Sequence, residues 1–392
     1  MKLVSIEPTP SPNTMKLNLD TSLPKGMHRT YTKERADGAP DYIRRLLSIP
    51  GVKSVFHTAD FIAIDRFPKG DWESILAQVR ETFGEGVDTG TANAGEAAAP
   101  DTEHFGEANV FVQMFRGIPM QVRVRAGNEE ARVALPDRFA QAAIRAGTAS
   151  PNLIKERKLV DFGVRYGDLQ EIADQVVREL DASYDEARLN QLVEHAMKAG
   201  VNAEETIPRM ELSDEETARW LEDPDWKKRY AALERMKPSM DKLPLLIKAL
   251  RDPEVSVRRL AAVYMGDIRD PAVLPYLFEA LKDRSAIVRR TAGDTLSDIG
   301  DPAAISPMCE ALKDENKLVR WRAARFLYEI GDETALPALR DAADDPEFEV
   351  RLQVQMAIKR IESGEAAAGT VWQQMTRRNH ENPDGGDPTK KV

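Results

Sequence analysis

Side chains able to hold a metal or attack a substrate are few and scattered in this sequence. Histidine occurs at His28, His57, His104, His195 and His380, and cysteine only once, at Cys309. The CxxC thiolate pairs common in iron–sulfur and structural zinc sites cannot be built from one cysteine. Also missing are GxGxxG, GxxxxGK[ST], HExxH and GxSxG, spacings that cradle phosphate, ligate zinc or present a serine nucleophile. No catalytic residue, metal site, cofactor or small-molecule substrate is therefore expected, and the chain reads as a non-enzyme. Cys309 stands beside Met308 and close to Leu312, where a lone thiol usually serves as a small core residue.

The side chains that carry a recognition pattern are of another kind. Trp321, Arg325 and Tyr328 recur at i, i+4 and i+7, one face of a helix. Arg290, Leu352 and Met356 fall on neighbouring rows of the same face. Trp, Tyr and Arg dominate protein-binding hot spots, so this line is the candidate surface for a protein partner. The alternative is that Trp321 packs between helices. A second candidate is the arm around Pro8, Pro10 and Pro12, leading into Asn13 and a short alternating strand. Proline fixes its own φ and drives the preceding residue toward extended geometry, so the arm should be stiff.

The elements that must position these residues form a repeat. From Leu250 the chain reads LRDPEVSVRRLAAVYMGDIRDPAVLPYLFEA, then LKDRSAIVRRTAGDTLSDIGDPAAISPMCEA and LKDENKLVRWRAARFLYEIGDETALPALRDA. A partial copy follows, and a shorter one precedes at Leu221. Asp252, Asp283, Asp314 and Asp345 are in register, as are Val257, Val288, Val319 and Val350, and Arg258, Arg289, Arg320 and Arg351. A fixed period of about this length marks an α-solenoid, whose units bury their apolar faces only by stacking. Asp252-Pro253 is expected to start one helix, with Val257, Ala261, Met265 and Ile268 as its buried stripe. Asp270-Pro271 opens a second, packed through Leu274, Leu277 and Leu281. The in-register Asp and Arg are placed to form a ladder between units.

Before the repeats, residues 1–84 read as a small two-layer α/β domain. Strands are expected at Val52–Val55 and Ile62–Ile64, with a helix from Asp71 carrying Ile75, Val79 and Phe83. Residues 85–108 are small and acidic and read as a flexible linker, and 363–392 as a disordered tail. Between them, 109–220 begin with a strand–turn–strand signature around Gly117-Ile118-Pro119, followed by helices, an α+β pattern. Arg116, Glu156, Arg157, Arg165 and Tyr166 lie there among apolar residues, as ion pairs that fix strand register or as a site. The solenoid occupies 221–362.

Charge excludes further classes. The formal net charge is −10. The excess falls within residues 85–220, and no segment forms the basic stripe that phosphate neutralisation requires. No run of 18 apolar residues occurs, so no membrane span is expected. The N-terminus lacks the apolar core of a secretory signal, and one cysteine suits a reducing cytoplasm.

Three resemblances follow from these stretches. Thr9-Pro10-Ser11-Pro12-Asn13-Thr14, GVKSVF, DFIAI and the Trp72 helix resemble the N-terminal domain of Nfu/NifU iron–sulfur scaffolds. The DP…VR…A…IGDP…LP…L repeat resembles short-period HEAT repeats of the phycobilisome-lyase type. FVQMFRGIP and VRYGDLQEIADQVVRELDASYDEARL resemble the central domain of the conserved virulence factor C family, whose members join these three modules in this order. The repeat architecture, with no catalytic constellation beside it, points to a cytoplasmic interaction scaffold, the repeats binding one protein and the Nfu-like domain another, and the resemblance adds a link to virulence. The alternative it implies is an accessory factor in iron–sulfur assembly or metal handling, without the CxxC domain that holds a cluster. Deoxyhypusine hydroxylase-like repeat proteins need His-Glu pairs on their helices, and all five histidines lie outside the repeats.

Overall fold

The computed structural model describes residues 1–365 except 10, 12, 25–26, 37, 68–69, 85–106, 128, 151, 153 and 200–211. The linker reading of 85–106 and the tail reading of 366–392 lie outside the described residues, as do Pro10 and Pro12. The chain divides into two compact units, residues 1–207 and 208–392.

The first unit holds two antiparallel sheets. β1 (Leu3–Pro8), β2 (Thr14–Leu19), β3 (His28–Thr32), β4 (Val52–Thr58) and β5 (Phe61–Arg66) are ordered β1-β2-β5-β4-β3. Period-2 alternation buries Met15, Leu17 and Leu19 on β2 and Ile62 and Ile64 on β5. Two helices, α1 (Asp41–Ser48) and α2 (Trp72–Thr82), bury Ile43, Leu46, Trp72, Ile75 and Val79. Asp71 caps α2 by accepting from Ser74 N at 2.7 Å. Gly51 turns the chain at φ 89°, and a Cβ there would sit 3.0 Å from Gly70 Cα and 3.1 Å from Ile75 Cδ1. Only glycine fits both demands.

The second sheet is ordered β8-β7-β6-β9, from β6 (Glu107–Phe115), β7 (Ile118–Ala126), β8 (Glu129–Ala134) and β9 (Arg157–Tyr166). β6 begins two residues inside the span read as linker. Arg116 and Gly117, at φ 48° and 78°, make the two-residue hairpin turn that joins β6 to β7. α3 (Asp137–Gly147) and α4 (Leu169–Ser183) lie across β7 and β8, and α5 (Glu186–Ala199) packs on α3. Their core is Val110, Val112, Val122, Val124, Phe139, Ile172 and Val176 with their neighbours.

The second unit is an α-solenoid. After α6 (Asp214–Trp220), long helices α7 (Trp226–Arg235), α9 (Val255–Ile268), α11 (Ala286–Ile299), α13 (Lys317–Ile330) and α15 (Phe348–Glu362) stack in sequence. Between them run short helices α8 (Leu243–Ala249), α10 (Leu274–Ala280), α12 (Ile305–Ala311) and α14 (Leu336–Asp341). The expected second-helix turns are present: Asp270 and Asp301 each accept the amide two residues on, at 2.8 Å. Asp252-Pro253 does not start its helix, however. α9 begins at Val255, and Asp252 instead accepts from Glu254 N at 2.8 Å, making the turn before it. The same bond is made by Asp283, Asp314 and Asp345.

That aspartate is one half of a ladder. Arg229 grips Asp252 of the next unit at 2.7 and 2.9 Å, and Arg258 grips Asp283 at 2.7 and 3.0 Å. Arg289 grips Asp314 at 2.6 and 2.8 Å, and Arg320 grips Asp345 at 2.7 and 3.2 Å. Each arginine also donates its remaining Nη1 to the carbonyl of the aspartate in its own unit, at 2.8 to 3.0 Å. The fork geometry of guanidinium matches a carboxylate twice over, so each rung fixes both spacing and rotation between units.

Candidate functional site

The expected aromatic–arginine line is divided by burial. Trp321 is 2% and Arg325 6% exposed, so neither faces away from the core as the i, i+4, i+7 spacing suggests. The reason is that α13 packs against α11, α12 and α15 together, which covers a far wider arc than one stripe. It buries Leu318, Val319, Ala323, Ala324, Phe326 and Leu327 as well. Arg325 Nε donates to Glu329 at 2.7 Å, both side chains are under 10% exposed, and the guanidinium lies 5.5 Å from the Tyr328 ring centre. Tyr328, Arg290, Leu352 and Met356 are half-buried. Arg290 pairs with Asp294 at 3.2 Å, and Arg322 reaches the other oxygen of Asp294 at 2.6 Å.

The N-terminal arm turns back on its own chain. Thr9 Oγ1 donates to the Thr14 carbonyl at 3.0 Å, and Thr14 Oγ1 donates to Asp65 at 2.6 Å. Asn13 Oδ1 accepts from Arg66 Nε at 3.3 Å. Arg66, 4% exposed, also donates to the Gly70 carbonyl at 2.9 Å and lies 5.2 Å from the Trp72 ring centre. Ser11 and Asn13 donate to Glu107 at the start of β6, at 2.5 and 3.4 Å. The arm thus closes the end of its sheet and ties it to the next one.

Burial shifts several titratable groups, His57 and Cys309 among them. His57 is 2% exposed and accepts from, or donates to, the Tyr42 hydroxyl through Nδ1 at 3.1 Å. Its Nε2 has no hydrogen-bond partner among the described residues. Desolvation lowers the His57 pKa below the ordinary histidine value. Burial, with the Asp332 charge nearby, pushes the Cys309 thiol up, which makes it a poor nucleophile. Among the described residues no His, Cys, Asp and Glu group of three or more is placed to hold a metal ion.

The central polar residues resolve into separate pairs. Arg116 donates to Glu156 through two nitrogens, at 2.7 and 3.2 Å, and to the Ala196 carbonyl of α5 at 2.8 Å. Ser150 adds a bond to Glu156 at 2.6 Å, and together these hold the carboxyl below the usual glutamate range. Arg165 donates to Glu179 of α4 at 2.6 and 3.2 Å. Arg157 is exposed.

Between those two anchors runs β9, which the sequence reading passed over. It is the outer strand of its sheet, and the helices lie mainly against β7 and β8. Leu159, Val160, Phe162 and Val164 are 40 to 45% exposed, and Ile154, just before the strand, is 75% exposed. Val160, Phe162, Val164 and Tyr166 alternate with Asp161, Gly163 and Arg165, a strand pattern that does not reveal that both faces meet water. The run of apolar residues between Lys158 and Arg165 was the available signal.

The three modules have recognisable relatives. Family models match residues 4–90 (scaffold protein Nfu/NifU N terminal), 113–193 (virulence factor) and 216–292 and 277–359 (HEAT repeats). The protein is therefore a HEAT-repeat protein carrying an Nfu/NifU-type N-terminal domain. It is 58% identical over 376 residues to YpgR of Bacillus subtilis (strain 168), covering 96% of this chain and 98% of that one. It is 48% identical over 379 residues to conserved virulence factor C of Staphylococcus aureus (strain MRSA252), covering 96% and 100%. The crystal structure of protein SAV1430 from Staphylococcus aureus is 42% identical over 21% of this chain and 99% of that one, with a TM-score of 0.20. The chain belongs to the conserved virulence factor C family.

Proposed function

We propose that this chain is a non-catalytic, cytoplasmic protein-interaction scaffold. Its solenoid takes a protein partner along the rim formed by Tyr328, Arg290, Leu352 and Met356, with Trp321 and Arg325 beneath as support. The N-terminal domain docks a second partner. The observation that carries the reading is β9: a ten-residue sheet edge with four large apolar side chains in water. Such an edge is a template for another chain, and proteins that do not use it blunt it. The name borne by the staphylococcal relatives links them to virulence, an effect that a scaffold can transmit through the proteins it assembles. For the accessory role in iron–sulfur assembly no comparable observation speaks, since Ser11 and Asn13 bond to groups of the chain itself.

The test places a photo-crosslinking residue at Phe162, at Met356 and, as control, at exposed Glu279, in cells of the source bacterium. Polypeptide adducts at 162 or 356 but not at 279 are expected. Absence of adducts at both positions overturns the scaffold reading.

A further inference from the structure

We propose that β9 pairs with β9 of a second copy, antiparallel about a twofold axis at Leu159, so that two central sheets continue into one of eight strands. This deepens the scaffold reading and rests on it. The two edges of the central sheet differ in a way that selects β9. β8 is six residues long and carries Glu129, Glu130 and Arg132; Glu130 takes Arg125 at 2.7 Å and Arg132 at 2.5 Å. Charges on a short strand are the usual protection against edge-to-edge pairing. β9 is ten residues long and has apolar side chains exposed on both faces.

Geometry then limits the register. An antiparallel pair related by a twofold axis must match residues that face the same side, because both copies present the same face. Regular pairing on β9 is interrupted after Asp161 and resumes at Val164. Phe111 opposes Asp161 while Asn109 opposes Val164, so Phe162 and Gly163 form a bulge. Gly163 has φ 83°, and its amide donates to Asp161 at 2.7 Å. The usable segment is therefore Arg157–Asp161, and its centre is Leu159.

With the axis at Leu159, Leu159 meets Leu159 of the other copy. On either side of it, Arg157 of one copy lies opposite Asp161 of the other, twice by symmetry. On the opposite face Lys158 lies over Val160. The alternatives are worse. An axis at Val160 sets Asp161 against Leu159 and Arg157 against Gly163. One at Asp161 sets that carboxylate against itself, which is destabilising. Axes further on run into the bulge. The strand is also held ready at both ends, by Arg116 on Glu156 just before it and by Arg165 on Glu179 near its end. Such preorganisation lowers the entropy cost of pairing.

The test uses the full chain with Cys309→Ser. Directly opposed residues on antiparallel strands have Cα atoms about 4.5–5.5 Å apart, within disulfide reach. Leu159→Cys should therefore oxidise to a covalent dimer, and Lys158→Cys should not. Arg157→Cys mixed with Asp161→Cys should give the cross-linked pair that neither gives alone. By sedimentation, Asp161→Lys should weaken the dimer about tenfold or more. The charge swap Arg157→Asp with Asp161→Arg should restore it, which guards against a mere folding defect. A dimer indifferent to Asp161→Lys, without the Leu159→Cys cross-link, overturns the proposal. So does a chain monomeric at all concentrations. In that case an adduct at Phe162 to a different protein leaves the scaffold reading standing, and no adduct at either scaffold position removes both.

Discussion

Replacing Asp314 by alanine isolates one rung of the ladder. Its carboxylate accepts Arg289 at 2.6 and 2.8 Å and Asn316 N at 2.8 Å, and both side chains of the pair are 9% exposed. The substitution strands a mostly buried guanidinium that keeps its bonds to the Asp283 and Arg284 carbonyls and to exposed Glu315. Removing one partner of a buried ion pair costs about 3–5 kcal/mol. Because a solenoid's stability is a sum of unit and interface contributions, the loss falls on one interface, between the units of α11 and α13. Two readouts follow. Urea unfolding monitored at 222 nm should shift to lower midpoint, and amide exchange should rise in α13 and α15 more than in α7. Asp341→Ala is the control, since it pairs with Lys313 at 3.8 Å with both side chains 71% exposed, a contact worth about 0–1 kcal/mol. Equal midpoints for the two variants would refute the view that the ladder holds the units together. Arg289→Met with Asp314→Leu should recover much of the loss, because no buried charge is then left alone.

Three further outcomes are expected. Trp321→Ala should cost about 3–5 kcal/mol as a cavity in a packed helix, seen as a lower thermal midpoint; a shift under about 1 kcal/mol would put the indole back on the surface. Gly266→Ala should destabilise the α9–α11 contact by about 1–3 kcal/mol, because the new methyl would sit 2.7 Å from Thr295 Cγ2; unchanged unfolding would contradict that close approach. The lowered pKa of His57 means that the folded domain resists protonation there. Its stability should be complete above the unfolded value of about 6.5 and fall as pH drops through the depressed folded value. Thermal midpoints of the wild type and His57→Leu between pH 5 and 8 would check this, and an identical pH slope in the two would sink it.

The solenoid was legible because each repeat states its own register. Asp252, Asp283, Asp314 and Asp345 at a fixed spacing, each followed six residues on by an arginine, announce the ladder. Alternation likewise revealed β6 and β7, where one face is buried. Two features were not legible, for opposite reasons. Trp321 and Arg325 sit outside the obvious stripe, yet neighbours on several sides bury them. Periodicity records the first contact a helix makes and not the later ones. β9 does alternate in the sequence, at Val160, Phe162, Val164 and Tyr166, but alternation does not say that the strand lies uncovered at an edge. A period-2 signal is read as one buried face, whereas on β9 both faces meet water. The helix start at Asp252 was misplaced because an aspartate that turns the chain and one that caps a helix look alike in sequence; only its second duty, to Arg229, separates them.

The distribution of arginine bears on where partners can bind. In the solenoid, Arg229, Arg258, Arg289 and Arg320 are committed to the next unit, and Arg325 is committed to Glu329. An arginine already satisfied in two or three directions offers little to an incoming chain, so residue type alone overstates the solenoid as a binding face. In the central sheet the two anchoring arginines, Arg116 and Arg165, are committed in the same way, but their effect is to hold β9 out with its apolar side chains exposed. Backbone pairing at such an edge needs no further charge; Arg157 and Asp161 would set the register alone. Charge-reversal scanning should then show the asymmetry. Reversals at Arg157 and Asp161 alter association at unchanged stability, whereas reversals on the ladder unfold units first.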